Sequence, residues 1–404
     1  MSAAFDVVLG VITSIGGFVE VGSISTSAQA GATFGFQLLW AVAAAAAMLA
    51  LLTEMSGRLA VMSKRTITAA IRERFGIHFH VVLLTAEFVL DLLLLTAELG
   101  GAAIAIKLLT GIGFQWWIVP TALLVWMILW FSGFAVVEYG IGLLGLITLS
   151  FVVAAIRLGP DPADVARSFI PSLPTHDAVR YGFLAISIVG ATVSPYLLNF
   201  YSSGTIEEDM KQEELWVNTV TTYGGNMFGA VVSMAIIVTS AMVLKPLHIT
   251  VDSYEQAALM FVPAFSSWAI GLFALSLGVG CMGAALELAL NMGYVLSQAF
   301  GWSWSANKAR ADNARFSCGF TLILLAAMVI SLIGFDPLRL TMLSVALTVI
   351  VMPLIVLPFL VVMNDTKFVK DKTNTPFGNA LLSLLTVVGA VFAVVVIPLE
   401  ILGG

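Results

Sequence analysis

Eleven stretches of this chain run for about twenty residues or more with few charges, near 5–31, 35–57, 79–108, 116–134, 136–157, 179–203, 217–244, 264–300, 315–334, 338–362 and 376–401. A hydrocarbon layer roughly 30 Å thick needs about 20 apolar residues per helix. An apolar helix also pairs its own backbone N–H and C=O groups, which lipid cannot do. The expectation is an all-α polytopic membrane protein with 11 transmembrane helices. Composition agrees, with 60% hydrophobic and 10% charged residues over 404 and a mean hydropathy of +1.02, more apolar length than a soluble core of this size uses. The net charge of −6 comes mostly from acids within or beside the spans, so it points neither to nucleic acid nor to a polybasic anchor. The first stretch has no basic leader or small-residue cleavage site and reads as span 1 rather than a signal peptide. Cys281 and Cys318 both sit in apolar stretches and read as small buried hydrophobes.

Short cytoplasmic loops carry the excess of Lys and Arg. With the N-terminus inside, the inner loops hold twelve of the eighteen basic residues, in 58–74, at Lys211, in 308–315 and in 367–372. This places the N-terminus in the cytoplasm and the C-terminus outside, in a plasma membrane of bacterial type. The longest connections, a proline-rich outer loop over 159–178 and an acidic inner segment over 207–214, are too short for soluble domains. Residues 1–404 therefore read as a single transmembrane domain.

Two spans are interrupted by small and hydroxylated residues at the depth where a membrane helix is most uniform. The first reads Gly16-Gly17-Phe18-Val19-Glu20-Val21-Gly22-Ser23-Ile24-Ser25-Thr26 and the sixth Gly190-Ala191-Thr192-Val193-Ser194-Pro195-Tyr196. Unwound backbone at membrane depth persists only where it lines a cavity or binds something. Gly/Pro interruptions in corresponding positions of two halves point to the binding site of a secondary transporter. The competing reading is a pair of kinked structural helices whose Ser and Thr bond their own carbonyls; two breaks with a carboxylate in one favour the site. The candidate substrate-binding residues are Glu20, Gly22, Ser23, Thr26, Thr192, Ser194 and Tyr196, with Glu20 also the candidate metal ligand.

Residues 29–40, Gln-Ala-Gly-Ala-Thr-Phe-Gly-Phe-Gln-Leu-Leu-Trp, resemble the stretch after the first broken helix of the Nramp metal-ion transporters. Val189-Gly190-Ala191-Thr192-Val193 followed by Pro195 resembles the start of that family's sixth-helix break, and Arg58-Leu59-Ala60, Glu138, Ser344 and Pro353 fit the same pattern. The resemblance covers nearly the whole chain. It implies the LeuT-type fold: inverted five-helix repeats over about 5–157 and 179–362, broken helices 1 and 6, and an additional helix over about 376–401. It also implies a proton-coupled ion transporter without a cofactor.

This sequence departs from the family at the ligands. Where the family has Asp-Pro-Gly-Asn, the chain has Glu20-Val21-Gly22-Ser23; where it has Met-Pro-His, the chain has Ser194-Pro195-Tyr196; the glutamine of the tenth helix falls on Val351. Losing a soft sulfur ligand disfavours high-affinity transition-metal binding, whereas Mg²⁺ is held through oxygens. A hard divalent cation such as Mg²⁺ is one reading. The other is a small anion or polar solute such as bicarbonate or a small carboxylate, held at half-helix N-termini, with Glu20 as proton carrier. Both stay open on the sequence.

Span 3 carries Glu87, Asp91 and Glu98 at i, i+4 and i+11, within roughly 40° of one another around a helix. The family routes protons past acids of this helix; Glu98 matches one of them and the neighbouring acid falls on Leu95. The expected proton pathway is Glu20, Asp91 and Glu98, while Glu87 is expected to pair with Arg58 or Arg72. The four histidines lie in loops or at span ends, and Tyr196 and Tyr201 replace the family's span 6 histidines, so coupling is expected to run through carboxylates. Glu287 and Asn291, four residues apart, read as one polar patch, and Glu138 as half of a structural ion pair. No nucleophile–base pair or His/Cys cluster stands at membrane depth, which argues against an enzyme. A membrane sensor or scaffold ranks last, having little use for two broken helices. The expected partners are a small inorganic ion or small polar solute, protons and the lipid bilayer.

Overall fold

A computed structural model of the chain describes residues 19–174 and 176–402. It is 84% helix, with no strand among the described residues. Among the described residues, nine helical segments are apolar and long enough to cross a bilayer. The first, Val21–Ser63, is two helices, Val21–Phe34 (span 1) and Leu39–Ser63 (span 2), divided by a 3-10 turn at Gly35–Leu38. The shorter Gln115–Phe131 (span 4) is apolar too; of the span expected near 5–31, residues 5–18 lie outside the described residues. Gly16 and Gly17 lie outside the described residues.

The turn after span 1 falls at Gly35, whose φ of +68° is a conformation glycine adopts without steric cost. Both neighbouring helices pack on span 7, Leu215–Val243, in opposite order. Ser240 Oγ donates to the Ala28 carbonyl at 2.6 Å and Gly35 lies by Lys245, whereas Asn226 Nδ2 donates to Thr53 Oγ1 at 3.1 Å and Asn218 Nδ2 to the Glu54 carbonyl at 3.1 Å. The first two helices are thus antiparallel, joined by hydroxyl and amide bonds of the kind that hold helices together in lipid.

Span 3, Ile77–Thr110, has 34 residues, about 51 Å of helix, and packs along span 8, Ala269–Phe300. Span 5 departs from the single helix expected over 136–157. It runs as Phe134–Gly145 and Leu149–Leu158 with a 3-10 turn at Leu146–Thr148, directly after Gly142 and Gly145, poor helix formers. Span 6 is Ala178–Thr192 followed by Pro195–Glu207. Span 9 is Ala314–Leu332, span 10 Pro337–Val362 and span 11 Pro376–Ile401. Span 10 touches span 3, the first half of span 6 and span 11, so it backs the sixth-span break.

Helices also form outside these spans. Ile67–Phe75 buries Ile67, Ala70 and Ile71 on one face, and its Thr66 cap accepts from the Ala69 amide at 3.3 Å. Tyr254–Ala258 is closed by a capping box between Ser253 and Gln256. Large apolar side chains are exposed on span 4 (Trp116, Phe131) and span 11 (Val388, Val391, Val394), surfaces that a bilayer covers. Cys318 of span 9 is exposed too, against the expectation of burial; Cys281 is buried.

Close helix approach depends on Gly190, where a Cβ would collide with the Val345 carbonyl oxygen. Overpacking of this kind costs about 1–3 kcal/mol. Gly190→Ala is therefore expected to lower the melting temperature of the purified protein, while Gly140→Ala, whose Cβ meets nothing within 4 Å, leaves it unchanged or raises it.

Candidate functional site

The sixth span breaks where its sequence requires. Val193 (φ −106°, ψ 76°) and Ser194 (φ −92°, ψ 137°) are non-helical, and Pro195 has no N–H to offer the carbonyl four residues back. Ser194 Oγ turns back onto the Gly190 carbonyl at 3.0 Å. In the first span, Glu20 is extended (φ −107°, ψ 177°) and the helix begins at Val21. A helix that starts here leaves orphan N–H groups, and the Val21 amide donates to Glu98 Oε2 of span 3 at 3.4 Å. An acid at a helix N-terminus also complements the helix dipole.

The Glu20 side chain folds back over Gly22, where a Cβ would lie 3.0 Å from Glu20 Oε1, 2.8 Å from Val345 Cγ1 and 3.3 Å from Ala191 Cβ. The Tyr196 hydroxyl, from the second half of span 6, donates to Glu20 Oε2 at 2.9 Å. Glu20 Oε1 and Glu98 Oε1 have no hydrogen-bond partner among the described residues. The buried Cys281 of span 8 stands near Glu98, and Gly101 and Gly280 admit Cys281 and the Val19 carbonyl beside them. Glu20, Gly22, Tyr196 and Glu98 are thus brought together around the two breaks. Ser23 and Thr192 are buried beside them in the sequence of each break. Thr26 is one turn into the half-helix and donates to the Gly22 carbonyl at 2.9 Å, the local back-bonding that a structural kink shows as well. From span 10, Val345 lies against Gly22, and Val349 Cγ2 lies near Gly190.

The span 3 acids share one face, directed at span 8, but divide into two groups. Asn291 Nδ2 donates to Asp91 Oδ2 at 3.0 Å and to Glu87 Oε1 at 3.2 Å, and Asn199 Nδ2 donates to Glu87 Oε1 at 2.6 Å. Asp91 therefore stands with Glu87, apart from the cluster at Glu98. The expected Glu87 pairing is corrected: Arg58 pairs with Glu54 at 3.1 Å, and Arg72 donates to the Ala299 carbonyl at 3.0 Å. Asn291 likewise serves span 3 rather than Glu287. None of the ion pairs among the described residues includes Glu20, Glu87, Asp91, Glu98 or Glu287. No group of three or more His, Cys, Asp and Glu close enough to hold a metal ion occurs among the described residues.

A cavity of about 520 Å³ opens on the side of the basic loops, between spans 2, 5, 6, 7 and 8. Glu138, Glu207, Glu208, Glu214 and Glu287 line it, and no Lys, Arg or His does among the described residues. Glu20 and Ser194, both 0% exposed, are not part of its wall. On the opposite side, Tyr254 Oη meets Ser25 Oγ at 2.8 Å and Thr341 Oγ1 at 3.3 Å, tying span 1 to span 10. Arg180 adds bonds to Glu400 and to Gln29 there. Neither the tyrosine latch nor the nearness of Cys281 to Glu98 was among the expected site features, because each partner arrives from a distant part of the chain.

Two half-helices meeting over a buried acid, with a vestibule on one side and a seal on the other, define a secondary transporter of the LeuT type. The sequence matches the Nramp family, natural resistance-associated macrophage protein-like, over residues 10–398, and the chain belongs to that family; it is an integral membrane transporter and not an enzyme. The fold is shared with the Eremococcus coleocola manganese transporter, a mutant form of which superposes with a TM-score of 0.80 at 18% identity, covering 96% of this chain and 85% of that one. Mhp1, a nucleobase-cation-symport-1 family transporter, gives 0.65 at 16% identity, covering 96% and 91%. A Na⁺-coupled sialic acid symporter gives 0.61 at 14%, covering 95% and 88%.

Removing the hydroxyl that serves Glu20 leaves both oxygens of a buried acid without a protein partner, a loss of about 1–3 kcal/mol. Tyr196→Phe is therefore expected to lower the melting temperature of the purified protein, which thermal scans of the two forms check.

Proposed function

We propose that the chain is a proton-coupled symporter of a hard divalent cation such as Mg²⁺, held between the unwound segments of spans 1 and 6. The observation that carries this is the vestibule, with five carboxylates and no base on its wall among the described residues. Such a lining concentrates cations and repels anions. The half-helix N-terminus that would hold an anion also already faces the Glu98 carboxylate. These observations favour the cation over bicarbonate or a small carboxylate.

Glu20 is the proposed ligand, with its unpartnered Oε1 directed over Gly22. Ser23, Thr26, Thr192, Ser194 and Tyr196 supply hydroxyl or carbonyl oxygens around it, the donor class that suits Mg²⁺. The Eremococcus coleocola neighbour is a manganese transporter; with Ser194 where the family has methionine and the apolar Val345 facing the break, high-affinity transport of such a metal is disfavoured here. A carboxylate in this setting takes either a metal ion or a proton, which is the basis of coupling. Protons are proposed to pass from Glu20 to Glu98, which accepts from the amide of the residue next to Glu20, and on to the Asp91 cluster. The vestibule and the N-terminus are proposed to face the cytoplasmic side of a bacterial-type plasma membrane, a reading that the basic loops support. The inverted repeats are proposed to span about 5–157 and 179–362.

Purified protein in liposomes tests this with Mg²⁺, micromolar Mn²⁺, bicarbonate and small carboxylates while internal pH is recorded. Mg²⁺ uptake accompanied by internal acidification is expected, reduced about 10–100-fold in Glu20→Gln. Uptake of an anion that survives Glu20→Gln, with no uptake of Mg²⁺, overturns the proposal.

A further inference from the structure

Among the vestibule acids, Glu287 differs from the rest in its surroundings. Glu207 is fully engaged with the 303–307 segment: it accepts from the Ala306 amide at 2.6 Å, Ser305 Oγ at 2.8 Å, Asn307 Nδ2 at 3.1 Å and Tyr294 Oη at 3.2 Å. That acid caps a loop. Glu287 stands midway along span 8, is 6% exposed, and its Oε2 has no hydrogen-bond partner among the described residues although the side chain lines the cavity. Its electrostatic neighbour is Glu20, which lies beyond the cavity wall. A buried carboxylate oxygen without donor or counter-charge is costly, so this is a position prepared for a positive charge.

The rest of the wall is chemically consistent with a cation. Asn226 commits its amide hydrogens to Thr53 Oγ1 at 3.1 Å and the Thr222 carbonyl at 2.7 Å, leaving its Oδ1 as the group available to a ligand. Thr221 adds a hydroxyl. These are hard oxygen donors, the kind that Mg²⁺ and Ca²⁺ use. A volume of about 520 Å³ accommodates an ion with its complete first water shell, since each water occupies about 30 Å³.

We infer that the vestibule contains a second cation site, built on Glu287, which takes a hydrated divalent cation passing between the helix breaks and the basic-loop side. The site rests on the cation reading given above and extends it: Glu20 binds the ion at the breaks, and Glu287 holds it in transit.

Isothermal titration of Mg²⁺ into full-length protein in nanodiscs distinguishes the two sites. The parent is expected to bind two ions. Glu287→Gln is expected to bind one, or to weaken the second about 10–100-fold, and Glu20→Gln to lose the other. Glu287→Asp, which keeps the charge, is expected to restore two, and the melting temperature of each variant in the absence of Mg²⁺ checks that it is folded. Unchanged stoichiometry and affinity in folded Glu287→Gln overturns the second site. Unchanged binding in Glu20→Gln with loss in Glu287→Gln overturns the ligand role of Glu20 and supports the vestibule site alone.

Discussion

The architecture depends on one constraint: in hydrocarbon, a helix that ends must still satisfy its backbone. The first-span half-helix meets it with an acid from another helix, Glu98 facing the Val21 amide. The sixth span meets it with a proline, which has no amide hydrogen to satisfy, and with Ser194 Oγ on the Gly190 carbonyl. The two breaks are then joined by Tyr196 and Glu20. Glu20 and Glu98 each meet a group from a different helix, so relative motion of these helices alters the surroundings of Glu20 directly.

The packing around this centre follows from the same constraint. An extended segment such as Val19–Glu20 has no helical envelope of side chains, and its neighbours must come close to it. Gly280 lies against the Val19 carbonyl, Gly22 lies under the Glu20 carboxylate, and Gly101 makes room for Cys281. Small residues bring helices together in membranes; here they also let Val19 and Cys281 approach the centre. Glu20, Glu98 and Glu287 each retain one oxygen without a partner among the described residues.

Much of this was legible in the sequence, and the physical reasons differ from part to part. Span lengths follow from bilayer thickness. The sixth-span break follows from Pro195, and the single acidic face of span 3 follows from helical periodicity. Partners were less legible. Glu87 was matched to arginines nearby in the inner loops, whereas its donors are Asn199 and Asn291, 112 and 204 residues away. Amide side chains inside a span carry no charge pattern to announce them. Val345 lies against Gly22 and Gly190, a contact set by helix crossing that a linear comparison does not show. The Ile67–Phe75 helix had readable signals in Thr66 and Gly76, but it is too short and too charged to register on a membrane ruler.

The hydroxyl contacts of Tyr254 with Ser25 and Thr341 bear on energetics as well as shape. Neutral hydrogen bonds contribute about 1 kcal/mol each, so this closure biases the molecule by roughly 2 kcal/mol, about a thirtyfold preference. A bolt this light does not demand a tightly gripped passenger: a ligand that favours the opposite-facing arrangement by the same small margin suffices to balance the two.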